Sequence, residues 1–397
     1  MRIKSWFAFF IRSIRIRLSR VKCHWLQKKH ARRLVTAGLV LAASTCLIDN
    51  NAVAQCDGPI FPNQTYTVGF QPVSVTTSDF NGDSIPDLAT ANDDSGDVSV
   101  LLGIGNGLFA NEQRFAVGDL PNFVTTGDFN GDGLVDLVTA NVNSDDVSVL
   151  LGNGDGTFAE QQTFATGEAP YFVATDDFNG DGLLDLATVN KGGPEDISIL
   201  LGNGDGTFAD QQMFDAGINV CTLTTGDFNG DSITDLAVTG FFGVYILLGN
   251  GNGTFGMPEI FSSSGPRSVA KGDFNGDGLI DLATSNTFCV SVLLGNGDGT
   301  FADQQIFDAG HQSGTITAGD LDGDGLVDLA TASQGIEDLV GVLLGNGDGT
   351  FAPAQTFESG SRPNSILIGD FNDDGLPDLV TANTRNCLLY TSPSPRD

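Results

Sequence analysis

The chain has 397 residues, 50 of them acidic and 18 basic, for a formal net charge of −32 at pH 7. That charge excludes nucleic acid and anionic membrane surfaces as ready partners. Hydrophobic residues still make up 40%. Strand-like apolar patterns run beside the acids throughout, which excludes an acidic disordered chain.

The first 54 residues are different material. They hold 11 of the 18 basic residues and one acid, Asp49. An uncharged run, Leu34 to Ile48, follows Arg33, and Ala52-Val53-Ala54 precedes Gln55. A basic segment, an apolar run and a small-x-small site in that order predict a secretory signal over residues 1–54, with a long basic segment. Its 15 apolar residues fall short of the ~20 needed to span a bilayer. Cys46 sits in a poor lipoprotein context, because Thr45 is bulky where a small residue is needed. Cleavage after Ala54 leaves 7 basic and 49 acidic residues, a net charge of −42, and no Trp, since Trp6 and Trp25 fall in the signal. A secreted or cell-surface protein with no membrane insertion is expected. Cys56, Cys221 and Cys289 follow no repeat position, and export would permit a disulfide without deciding a pairing.

From Asp79 onward a nine-residue acidic loop, Asp-x-Asn-x-Asp-x-x-x-Asp, returns seven times at intervals of 46 to 50 residues, with one substitution, Asp322 for Asn in the sixth copy. The copies start at Asp79, Asp128, Asp177, Asp227, Asp273, Asp320 and Asp370. A period of this length means repeated supersecondary units. The second unit shows the layout. Phe123–Thr126 reads as strand A, Leu137–Ala140 as B, Val147–Leu151 as C and Phe158–Thr166 as D, with the acidic loop between A and B. Asn153-Gly154-Asp155-Gly156 is a tight C–D turn whose Asn and Gly suit positive φ. It recurs, as at Asn203 to Phe208, and carries too few acids to be a second metal site. No helical periodicity appears after Gln55.

Four strands in each of seven units predict an all-β, seven-bladed β-propeller of four-stranded antiparallel blades over residues 55–386. Radial closure also protects the strand edges. Phe61 to Gly69 resembles the D segment Phe158 to Gly167, so an N-terminal D strand is expected to complete the blade that the last unit begins. Residues 387–397, CLLYTSPSPRD, break the pattern after Asn386 and read like a translated sequencing-library adapter. On that reading the C strand of the last blade is missing.

Gly127-Asp128-Phe129-Asn130-Gly131-Asp132-Gly133-Leu134-Val135-Asp136-Leu137 resembles the FG-GAP or VCBS-type repeat, similar to the N-terminal propeller of integrin α-subunits. The resemblance implies calcium in the A–B loops and roles in adhesion, binding or assembly. The Gly-Ala-Pro element of that family is replaced here by Thr-Ala-Asn, as at Thr139-Ala140-Asn141, which weakens the case for integrin-like partners.

Positions 1, 3, 5 and 9 of the loop offer side-chain oxygens, and position 7 its main-chain carbonyl. Oxygen-only donors on a flexible loop suit Ca²⁺ better than a transition metal. The candidate ligands are Asp79, Asn81, Asp83, Ile85 and Asp87; Asp128, Asn130, Asp132, Leu134 and Asp136; and Asp177, Asn179, Asp181, Leu183 and Asp185. They continue with Asp227, Asn229, Asp231, Ile233 and Asp235, and with Asp273, Asn275, Asp277, Leu279 and Asp281. Asp320, Asp322, Asp324, Leu326 and Asp328, and finally Asp370, Asn372, Asp374, Leu376 and Asp378, complete them. Thr139 at position 12, and strands instead of flanking helices, exclude an EF-hand. Up to seven Ca²⁺ are expected. The first, fourth and seventh sites should be weaker, because Ser84, Ser232 and Asp373 replace glycine.

A–B and C–D loops should share one face and B–C and D–A loops the other. The first set is nearly invariant, whereas the second varies: Lys191-Gly192-Gly193-Pro194, Phe241-Phe242, Thr287-Phe288, Tyr171, Arg267, His311 and Arg362. One constant face and one varied face suggest scaffold and recognition. Catalysis is not expected: after the signal there is one His and two Lys, and neither a nucleophile elbow nor a zinc pattern. The expected function is an exported, calcium-binding, non-catalytic recognition or adhesion module for a surface protein or glycan. A lectin, a polysaccharide lyase or a spacer in a larger surface protein are the alternatives.

Overall fold

The computed structural model describes residues 64–192, 196–217, 219–263, 265–310, 312–333, 338–385 and 388–392. The expected signal segment, Cys56, Gly193-Pro194 and His311 lie outside them. The described secondary structure is β apart from one short 3-10 turn at Asp93–Ser95. No helix among the described residues is long and apolar enough to cross a membrane.

Six four-stranded antiparallel blades are each formed by strands taken in chain order; in the first, a two-stranded sheet of Gly103–Gly105 and Leu108–Phe109 comes before the fourth strand. The second blade is Pro121–Gly127, Asp136–Asn141, Asp146–Leu150 and Gln162–Ala165. The A strand is longer than its β-branched centre predicts. The D strand starts at Gln162 instead of Phe158, because Phe158 is spent on a single bridge to Gly152 and then buried.

The seventh unit is assembled differently. Pro363–Gly369 and Asp378–Asn383 pair as A and B, Leu388–Ser392 takes the third place, and Gln64–Thr67 forms the outer edge. Seven loops thus correspond to six blades with strands in chain order plus one sheet that mixes both ends of the chain. Gln64–Thr67 lies where a fourth strand is expected. The third place is filled by residues of the stretch that reads as foreign to the repeat.

The B strands explain the packing. Asp-Leu-Val-Thr-Ala-Asn at 136–141 is buried at every residue. A strand covered on both faces needs no polar/apolar alternation. The D strands alternate between half-buried and exposed, as expected of an outer edge. The apolar clusters sit between blades instead of within them: one joins Phe80, Ala89 and Val98 to Val124, Leu137 and Phe158. Another joins Phe371, Val380 and Ala382 to Val75, Leu88 and Leu101, so the last sheet packs on the first.

Candidate metal loops and the axial cavity

Each acidic loop winds around its first aspartate. In the second loop, Asp128 Oδ1 accepts the N–H groups of Gly131 (2.8 Å) and Asp132 (3.2 Å), and Oδ2 accepts that of Gly133 (2.9 Å). Asn130 Oδ1 accepts from Asp132 N, and Asp132 Oδ1 from Leu134 N. These Asx turns hold positions 1, 3 and 5 on the inside of the bend. Positions 4 and 6 pass through the left-handed region, with φ of 72° at Gly131 and 80° at Gly133. Ser84 and Ser232 adopt the same conformation at φ 66°, and each still donates its N–H to the first aspartate.

Position 9 does something the spacing did not reveal. Asp136 is fully buried. Its Oδ2 accepts the N–H of Phe129 and its Oδ1 that of Gly152, 2.8 Å each. It therefore ties the loop to the chain leaving strand C. Asp87, Asp185, Asp235, Asp281 and Asp328 make the same two bonds. Burial pushes the carboxyl of Asp87 up to about 6, against the pull of the Gly103 and Phe80 N–H groups. Burial likewise raises Asp136, Asp185, Asp235, Asp281 and Asp328.

The donor set suits a hard cation: positions 1, 5 and 9 are carboxylates and position 3 offers an amide or carboxylate oxygen, and a carboxylate has about four lone-pair sites, more than the N–H groups bound here. The loops are not equivalent, however. In the sixth, ligand oxygens of Asp320, Asp322 and Asp328 lie within 4.8 Å of one another, the one such carboxylate group among the described residues. In the second to fifth loops position 3 is Asn, whose Nδ2 turns toward the position-5 carboxylate, as from Asn130 to Asp132 at 3.0 Å, whereas in the seventh Asn372 Nδ2 reaches Asp378 Oδ1. Burial pushes Asp320 upward, but the N–H groups of Gly325, Gly323, Asp322 and Asp324 outweigh it and hold the carboxyl below its ordinary value.

The C–D turn latches one blade to the one before it. Gly156 N donates to Phe80 O, Gly206 N to Phe129 O and Gly253 N to Phe178 O. The phenylalanine that follows each turn meets its neighbour edge to face, as Phe158 meets Phe80 (5.6 Å) and Phe208 meets Phe129 (5.8 Å). Gly107 N donates to Phe371 O, and Phe109 lies 6.1 Å from Phe371, so the latch also joins the last sheet to the first. The Thr-Ala-Asn element is a buried polar ladder. Thr139 Oγ1 donates to Asn141 Oδ1, Asn141 Nδ2 to Ser148 Oγ, and Ser148 Oγ to Gln161 Oε1. The Asn that replaces the family's Pro is therefore structural.

On the opposite face the D–A and B–C loops touch, as Lys191 N donates to Ala169 O. Phe241, Phe242 and Phe288 are exposed here, and Phe241 and Phe242 meet edge to face at 5.1 Å. The A strands enclose an axial cavity of about 490 Å³ that opens toward this face. Six residues before each loop stands one lining residue: Val73, Asn122, Tyr171, Cys221, Arg267, Gly314 or Asn364. In five sheets a register shift leaves this residue out of the ladder, and a bulge frees a side chain for other work. Asn122 Nδ2 bonds Tyr171 O (2.8 Å), and Asn364 Nδ2 bonds Val73 O (2.9 Å). Aligning the seven repeats would have exposed this position, since no other A-strand position differs so widely between repeats.

The sequence pattern of the FG-GAP-like repeat matches residues 79–139, 128–188, 177–238, 227–284, 282–331 and 328–381. No curated protein matches the chain. Among solved structures, an Agrocybe aegerita lectin, described for specific recognition of non-reducing terminal N-acetylglucosamine, is similar with a TM-score of 0.56. Its identity is 21%, over 80% of this chain and 86% of that one. BBS1N in complex with ARL6DN, soaked with lead or with mercury, gives TM-scores of 0.60 and 0.57 at 13% identity, over 85% of this chain and 96% of that one. At these identities the likeness concerns the fold.

Proposed function

The chain belongs to the FG-GAP-like repeat family, and from that premise we propose that it is an exported, non-catalytic recognition propeller whose A–B loops hold Ca²⁺. The seventh sheet acts in this reading as the seventh blade of a closed ring. The observation that carries the reading is the contrast between faces. One face repeats the same loop, in every copy with the position-6 N–H on the first aspartate, while the other carries Tyr171, Phe241, Phe242 and Arg267 at places where the repeats differ.

Calcium would draw the carboxylates of positions 1, 5 and 9 and the oxygen at position 3 onto one ion, removing the repulsion among them. The chain's own groups hold the turn, with the first aspartate gathering N–H groups and the ninth anchoring strand C. The sixth loop, with its additional carboxylate Asp322, is the tightest site in this reading. Seven ions would move the charge of the mature chain from −42 to −28.

Glycan binding is the second reading, favoured by the exposed pair Phe241–Phe242 and by the lectin among the similar structures. An array of glycans and surface proteins, probed in Ca²⁺ and in chelator, separates the readings. Calcium-dependent capture of a protein or glycan supports recognition. Turnover of a polysaccharide on the same array, or no capture in either condition, contradicts it.

A further inference from the structure

The axial cavity inverts the charge of the molecule around it. After Ala54 the chain carries 49 acids and 7 bases. Yet no Asp or Glu is among the described residues that line the cavity, whereas two of the seven bases, Lys191 and Arg267, are. Both are accessible to solvent, and neither forms an ion pair with a described carboxylate; the one basic residue that does is Arg114, with Asp97 and Glu112. In a chain so rich in carboxylates, two cations that line this cavity without an ion pair to a described carboxylate suit an anion from outside, although Lys191 also borders a second cavity lined by Asp196 and Asp215. Lys191 Nζ stands 2.9 Å from the centre of the Tyr171 ring, and Tyr171 and Arg267 occupy the same lining position in two different repeats.

Below the mouth the wall changes character. Phe123 and Phe172 lie together at 4.0 Å, half-buried, and present an aromatic surface to the cavity. Another part of the wall is Thr315, on the A strand Ser313–Gly319, whose buried Oγ1 has no hydrogen-bond partner among the described residues. Aromatic faces take the C–H side of a sugar ring, and hydroxyls take its hydroxyl groups. A cavity of about 490 Å³ lies within the range of small-ligand sites, roughly 300–1,000 Å³.

We propose that the mouth of the axial cavity binds a sugar acid, a hexuronate, with Arg267 and Lys191 on the carboxylate and Phe123 and Phe172 against the ring. The inference deepens the recognition reading and rests on it, because it names the ligand class of the variable face. A free hexuronate and the end of an acidic polysaccharide share this chemistry.

Isothermal titration of the full chain in calcium tests it, with glucuronate, galacturonate and digalacturonate as probes and glucose and galactose as neutral controls. The acids are expected to bind and the neutral sugars not to. Arg267→Gln and Lys191→Gln should each weaken the acids about tenfold or more, the scale of one charge-assisted bond. Arg267→Lys should restore part of the loss, and all three variants should melt like the parent. Binding of digalacturonate alone assigns the chain end, and binding of all three acids assigns the free sugar as well. Equal binding of glucose, indifference to Arg267→Gln, or no heat from any acid overturns the proposal. That failure leaves the calcium loops untouched, since they are read by melting and not by these probes.

Discussion

The ninth loop residue carries two demands at once. As a carboxylate it suits a cation, and as a buried acceptor it satisfies two main-chain N–H groups. Asp136→Ala leaves both buried donors unpaired and should cost about 2–5 kcal/mol in a urea melt. Asp136→Asn keeps one acceptor and should cost clearly less; equal costs would contradict the tie. The sign of the pH dependence follows from the raised carboxyls. A carboxyl raised on folding contributes stability below its unfolded value and loses it as pH climbs through the folded one, about 6 for Asp87. In chelator, stability should therefore fall between about pH 4 and about pH 7, and a rise over that window would contradict it. Although Lys191 is exposed as a residue, desolvation of its ammonium, which sits over the Tyr171 ring, lowers it to about 8, while Lys271 Nζ is held by Thr225 O at 2.6 Å. Lys191 should therefore take an amine-reactive label well before Lys271 near neutral pH, as read by peptide mass spectrometry. Equal labelling would count against the lowered value.

At the scale of elements, the acidic loop, the B and C strands and the C–D turn were legible because each rests on local chemistry: Asx turns, positive-φ glycines and β-branched runs. What was not legible depends on a neighbour. Phe158 looks like the start of a strand, yet it fills a gap beside Phe80 and Phe115 of the blade before. Asp136 looks like one more ligand, because spacing does not say which N–H groups it will face. Thr-Ala-Asn looked like a lost family element and is a ladder that also closes on a glycine. Gly118 N donates to Ser148 Oγ, and a Cβ added at Gly118 would sit 2.5 Å from Asn141 Nδ2. Gly118→Ala should cost about 1–3 kcal/mol by overpacking, measured by thermal melt. A variant that melts like the parent would show that the ladder yields freely.

At the scale of the whole molecule, seven apolar clusters link each sheet to the next, and six of the acidic loops take an N–H from the C–D turn of the following sheet, Gly107 to Phe371 among them. Each filled metal site should then stabilise the ring by mass action, ~2.7 kcal/mol at a hundredfold excess over Kd. The direct measurement is calorimetric melting of the full chain in calcium and in excess chelator at neutral pH. A large rise in Tm with calcium, reduced most by Asp322→Ala among single position-3 substitutions, is the predicted result. Coincident melts in calcium and in chelator would contradict the reading of these loops as metal sites.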